Sequence, residues 1–199
     1  MVIMNEPEVF ILADQTLKAV VDQIADDQWS LKIPEWFSVN HSQADSDLRA
    51  IINYHAYDDA WVPAMLEGKT MAEIGEDSFD GDLLGEDPKL NFANIVAKAI
   101  QAASNFKQLD LQVHCSFGDF KAREYFWQIN MFRGLRARDI AKLIGVNDKL
   151  PEDLVEGIWQ EISPHAETWR EIGVFGPEVE VGANASPQDK LLALTGRQP

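Results

Sequence analysis

The sequence predicts an all-α protein, and three observations carry that prediction. Apolar residues recur at steps of three and four through most of the chain, proline and capping residues punctuate it, and β-type alternation is confined to one short stretch. With 199 residues, 46% of them hydrophobic, the chain is long enough for one domain with a real core over 1–199. Short connections between the helices favour an antiparallel bundle.

The first helix is predicted over 7–27, with Val9, Leu12, Ala13, Leu17, Val20, Val21 and Ile24 on its apolar face. Pro7 suits a first turn, where its missing N–H is not needed. The segment 29–41, containing Pro34 and Trp36, reads as an ordered loop whose aromatic residues cap the core. A second helix starts at the capping cluster 42–47 and runs to Leu66, with Pro63 kinking or nearly ending it. Gly68 and Thr70 then introduce a short helical turn over 71–74, and the acidic, glycine-bearing stretch 75–88 is a surface loop, long enough to be functional or mobile. The third helix covers 88–106, with Leu90, Phe92, Ile95, Val96, Ala99 and Ile100 as apolar positions. Leu111, Val113, Cys115 and Phe117 alternate, so 109–117 is a short strand or an extended cover. The fourth helix is predicted over 120–144, stopped by Gly145. A fifth opens at Leu150 with acidic residues where the helix dipole favours them, and reaches Gly173 with an interruption at Pro164. A final short helix spans 186–195.

Seventeen basic against 33 acidic residues give a net charge of −16. That balance argues against a nucleic-acid or anionic-membrane partner, because phosphate contacts need clustered Lys and Arg. A single cysteine, Cys115, cannot form an intramolecular disulfide and fits a reducing compartment. The first residues lack the basic start and apolar run of a signal peptide, and no apolar run approaches the roughly 20 residues of a membrane span. The expected location is the cytoplasm.

Two helices carry polar groups on their apolar faces. In the fourth, the stripe Tyr125, Ile129, Phe132, Arg136, Ile140, Leu143 turns Arg136 toward the core. In the second, Leu48, Ile52, His55, Asp59, Val62 does the same for His55 and Asp59. A buried guanidinium requires a carboxylate, and Asp58 or Asp59 is the natural partner for Arg136. Arg133 lies one turn before Arg136, whereas Arg138 reads as a solvated surface residue. Structural ion pairing and binding of an anionic ligand are both open at this point.

Other chemistry has weaker support. His55, Asp58 and Asp59 are spaced three and four apart, so His55 and a carboxylate could share a cation; a core histidine bonded to a neighbouring helix is the simpler reading. His41, His114 and His165 have no such spacing with one another, and no His-Glu-x-x-His or Cys-x-x-Cys pair exists. His114 and Cys115 are strand neighbours that point to opposite faces, so the histidine is poorly placed to activate the thiol. A Gly-x-Ser-x-Gly elbow and a glycine-rich phosphate loop are absent.

The run Asn-Tyr-His-Ala-Tyr-Asp-Asp-Ala-Trp-Val-Pro-Ala-Met-Leu-Glu-Gly-Lys-Thr from Asn53 to Thr70 resembles the second helix of the DinB-like superfamily. The similarity is to actinobacterial proteins related to the N-terminal domain of mycothiol-dependent maleylpyruvate isomerase. Phe-Asp-Gly-Asp-Leu-Leu-Gly from Phe79, His-Cys-Ser-Phe-Gly-Asp from His114 and the tail 174–199 resemble the same family, so the likeness extends from about residue 29 to the end. It implies a DinB-like four-helix bundle with an additional C-terminal helix and a divalent metal held by three protein ligands. His55 stands at the ligand position on the second helix. The other two ligand positions fall on Phe132 and Arg136, one turn before Asp139-Ile-Ala, and neither residue can ligate a metal. The isomerases also carry a further C-terminal domain with no obvious counterpart in this sequence, so isomerisation of maleylpyruvate is not expected.

The expectation that follows is a bundle with a degraded metal site, binding a small molecule or anion in the former metal pocket. His55, Asp58, Asp59, Arg133 and Arg136 would line that pocket, with Trp61 as a wall, Arg136 would pair with Asp58 or Asp59, and no cofactor is expected. One alternative is a mycothiol-type transferase or isomerase that uses zinc or nickel through a rearranged ligand set, drawing on His55, Asp58, Asp59 and His114. Another is a structural or partner-binding bundle. A homodimer is compatible with all three.

Overall fold

In a computed structural model, which describes residues 4–37 and 46–199, the chain is mostly helical, with one small two-stranded sheet. Helix α1 (Glu6–Val21) opens with a capping box: Asn5 Oδ1 accepts from the Glu8 N–H at 3.1 Å, and Glu8 Oε2 accepts from the Asn5 N–H at 2.8 Å. The helix ends six residues before its predicted limit, and a single 3₁₀ turn at Asp26–Gln28 follows. There Gln28 Nε2 donates to the Ile144 carbonyl at 3.1 Å, tying this turn to the far end of another helix. In the loop that follows, Phe37 is buried, whereas Trp36 stays largely exposed, so only part of the expected aromatic cap reaches the core. His41 and most of the predicted capping cluster lie outside the described residues. Within that cluster, Asp47 accepts from the Ala50 N–H and starts α2 (Leu48–Leu66). Pro63 lies inside its last turn, where it removes the bond to the Asp59 carbonyl, and the helix ends three residues later.

Thr70 caps the short α3 (Met71–Ile74). The acidic stretch after it is strapped down: Arg49 bonds Asp82 at 2.9 Å, Asn53 donates to the Gly81 carbonyl at 2.9 Å, and Leu84 is fully buried. Helix α4 (Pro88–Ser104) follows, with Leu90 exposed rather than on the core face where its spacing put it. Strand β1 (Gln112–Cys115) pairs antiparallel with β2 (Gly118–Lys121) around the two-residue turn Ser116–Phe117. Gly118 takes the positive φ (140°) that this tight reversal needs. The predicted fourth helix therefore begins two residues late, as α5 (Ala122–Ile144), and Gly145 closes it in the left-handed conformation. The predicted fifth helix is divided at Pro164 into α6 (Glu152–Ile162), a 3₁₀ turn and α7 (Ala166–Glu171). Ser186 caps the last helix, α8 (Pro187–Leu194), whose Leu191 and Leu192 are buried.

α1 packs against both α4 and α5, α2 lies on α4, and α6 covers α5 and α1. Close approach of α6 depends on glycine. A Cβ on Gly157 would stand 2.7 Å from Val9 Cγ2, and one on Gly134 would overlap Ile158. α5 is consequently covered on nearly every side, and each residue from Arg133 to Ala141 is buried. Among the described residues no helix is long and apolar enough to cross a membrane.

Candidate functional site

Arg133, one turn before the arginine that the stripe singles out, organises the interior. It is fully buried, and its Nε donates to Asp59 Oδ1 at 2.7 Å and to Asp14 Oδ1 at 3.0 Å. Nη2 also reaches Asp59, Nη1 donates to the Ile129 carbonyl at 3.2 Å, and the guanidinium lies 5.1 Å from the Phe10 ring centre. Burial disfavours the charge on Arg133, but Asp59 and Asp14 more than offset it, so its pKa is raised. For Asp14 burial dominates, the charge of Asp59 adds to it, and the pKa rises well above the carboxylate range despite Arg133. The result is a dry cluster joining α1, α2 and α5.

Arg136 is buried as its register predicts, but the expected bond to Asp58 or Asp59 does not form. Arg133 engages Oδ1 of Asp59. Three residues advance a helix by about 4.5 Å, which carries Arg136 past the level of these carboxylates. Its guanidinium lies between two rings instead, 4.7 Å from Phe37 and 5.1 Å from Phe132. Nε and Nη1 have no hydrogen-bond partner among the described residues, and burial lowers the pKa to about 10. Arg138 is not a solvated surface residue either. It is buried, and it bonds the Gln198 carbonyl at 3.1 Å and approaches Asp148 at 3.4 Å, because the C-terminal tail folds over this part of α5.

His55 stacks on Phe132 with ring centres 4.6 Å apart. Burial, then the charges of Arg136 and Arg133, hold its pKa well below the usual histidine value, so the ring is neutral at pH 7. Both ring nitrogens lack hydrogen-bond partners among the described residues. The three positions that the family likeness assigns to metal ligands, His55, Phe132 and Arg136, thus meet at one place. They do not fit a divalent ion there: Phe132 offers no donor atom and Arg136 brings a positive charge. Among the described residues no group of three or more His, Cys, Asp or Glu side chains is arranged to hold a metal. His114 is engaged elsewhere, across the hairpin from Asp119 at 2.9 Å.

Beside this interior lies a cavity of about 350 Å³. Of the six residues predicted to line a pocket, Asp58 and Trp61 do so; His55, Asp59, Arg133 and Arg136 are behind the wall. Seven rings face the cavity, from four parts of the fold: Tyr54, Tyr57 and Trp61 on α2, Phe117 in the hairpin turn, Tyr125 and Phe132 on α5, and Trp169 on α7. The Trp61 ring is fixed edge-on to Phe79 at 4.8 Å. Cys115 also lines the cavity. Its Sγ donates to the Gly118 carbonyl at 3.1 Å, and burial pushes its pKa up to about 11, so it is a thiol rather than an activated nucleophile. Asp58 is the one charged residue of the lining, and none of the hydrogen bonds in the described structure reaches its carboxylate. Burial raises its pKa to about 7, with Arg133 opposing that rise and Asp59 adding to it.

Sequence reasoning missed Asp14 and most of the cavity wall. Asp14 carried a readable signal, since Phe10, Asp14, Leu17 and Val21 form a stripe with the same anomaly as those of α2 and α5. The wall carried none, because its rings come from separate segments. Comparison with protein-family models, with curated proteins and with solved structures finds no match to this chain.

Proposed function

We propose that this chain is a DinB-like four-helix bundle that has lost the family's metal centre and binds a small organic molecule in the cavity beside it. The observation that carries the binding function is the cavity itself: about 350 Å³, walled by seven rings, with one carboxylate free to meet a ligand. Its volume falls in the range of small-molecule sites, as does the mixture of apolar wall and few polar groups. The bundle reading is supported by the packing of α1, α2, α4 and α5 and by the convergence of His55, Phe132 and Arg136. The arginines that suggested an anionic ligand do not line the cavity, which favours the small-molecule half of the original expectation.

A screen of small organic molecules by thermal shift tests this, run in parallel on wild type and Gln128→Trp. Gln128 lines the cavity and is half-buried, so an indole there should fill the space without disturbing the core. Ligands that stabilise the wild type and not the variant support the proposal. Ligands that stabilise both equally, or none at all, contradict it and favour a structural or partner-binding bundle. One observation favours the metal-dependent thiol enzyme, namely the two nitrogens of His55, which have no hydrogen-bond partner among the described residues. Stoichiometric zinc or nickel that disappears in His55→Ala would establish that alternative.

A further inference from the structure

We propose that the cavity selects an organic cation, an ammonium group on a compact apolar or aromatic body, with Asp58 as its counter-charge. This rests on the cavity being the binding site.

Two features of the wall point to a cation. Among the described residues its lining contains no Lys, Arg or His, so none of them supplies a positive partner for Asp58 from within the cavity. The nearest buried cation, Arg133, is held by Asp14 and Asp59. A carboxylate without a hydrogen-bonded cation, facing a space walled mainly by apolar and aromatic groups, is costly when empty and is relieved by an incoming positive charge. The aromatic surface adds to this. Ring faces carry negative potential, and an ammonium within about 6 Å of a ring centre gains roughly 0.5–2 kcal/mol. Tyr57 and Trp61 on one side, and Phe117 stacked at 6.5 Å on Tyr125 on another, present such rings around one space.

The charge of the whole chain acts in the same direction. At −16, the protein draws cations toward its surface and repels anions. A neutral aromatic ligand would use the rings but leave Asp58 unmatched. An anionic one would oppose both.

Isothermal titration of the full chain with three probes of one aromatic body tests the inference: benzyltrimethylammonium, benzyl alcohol and benzoate. At about pH 8, on the ionised side of Asp58, the cation is expected to bind at least about tenfold more tightly than the alcohol, with benzoate not binding. Asp58→Asn keeps the side-chain shape and should cost about tenfold for the cation while leaving the alcohol unchanged. Asp58→Glu keeps the charge and should keep the preference, which separates charge from shape. Equal binding of cation and alcohol, or a cation affinity indifferent to Asp58→Asn, overturns the charge selection; if Gln128→Trp still abolishes binding in that case, the cavity stands as the site. Binding of none of the probes, or binding untouched by Gln128→Trp, removes the cavity reading and this inference with it.

Discussion

Arg133 and Arg136 are chemically identical, one turn apart and both buried, yet their surroundings give them opposite roles. Arg133 donates to the acidic side chains of two other helices, so Arg133→Met leaves Asp14 and Asp59 without that partner in the core. Loss of one partner of a buried pair typically costs about 3–5 kcal/mol, and we expect that fall in denaturant unfolding. Among the described residues Arg136 leaves no ion-paired carboxylate behind when it is removed. Arg136→Met forfeits contacts with two rings but also removes a buried charge with two donor atoms unbonded among the described residues, and the net change should lie within about 1 kcal/mol. If both variants lose stability equally, the assignment of roles is wrong. Glu161 gives a pH test. It is buried beside Asn130, which donates to it at 2.9 Å, and burial raises its pKa well above the usual glutamate value. The folded state therefore holds this proton more tightly than the unfolded state. That contribution is full below the ordinary glutamate range and is lost as pH rises through the folded pKa. Glu161→Gln should melt higher than wild type at neutral pH, and the gap between the two Tm values should close on acidification. A gap that widens toward acid pH would contradict this.

At the scale of elements, α5 explains the main misreading. A helix with one wet face sorts its residues into core and surface by register, and Arg136 was legible on that rule. α5 has no wet face from Arg133 to Ala141, because α1, α6 and the C-terminal tail wrap it. Arg133 and Arg138, off the stripe, are buried all the same. The glycines that admit α6 offered no periodic signal, yet they set its distance. In Gly157→Val, the added carbon would press on the branched side chain of Val9, and overpacking outweighs the gain in helix propensity over glycine. We expect a loss of about 2 kcal/mol or more, read as a lower denaturation midpoint. An unchanged midpoint would mean that α6 shifts freely. The hairpin was half-read for a different reason: β1 alternates over enough residues to be noticed, whereas the four residues of β2 resemble the start of α5.

For the whole molecule, the charge of −16 and the periodicities are properties of the chain as written, and they determined the helical class and the order of the elements. The apolar stripes also marked His55, Asp59 and Arg136 as interior groups, since register on a helix depends only on local spacing. Pairing is not local. Which carboxylate meets which arginine depends on the height at which helices cross, and a shift of one turn gave Asp59 to Arg133 and left Arg136 between two rings. The cavity is decided later still, by rings from α2, the hairpin, α5 and α7 that no segment holds together by itself. Local spacing determined what is buried; only the tertiary packing decided which buried groups meet and where a space for a ligand remains.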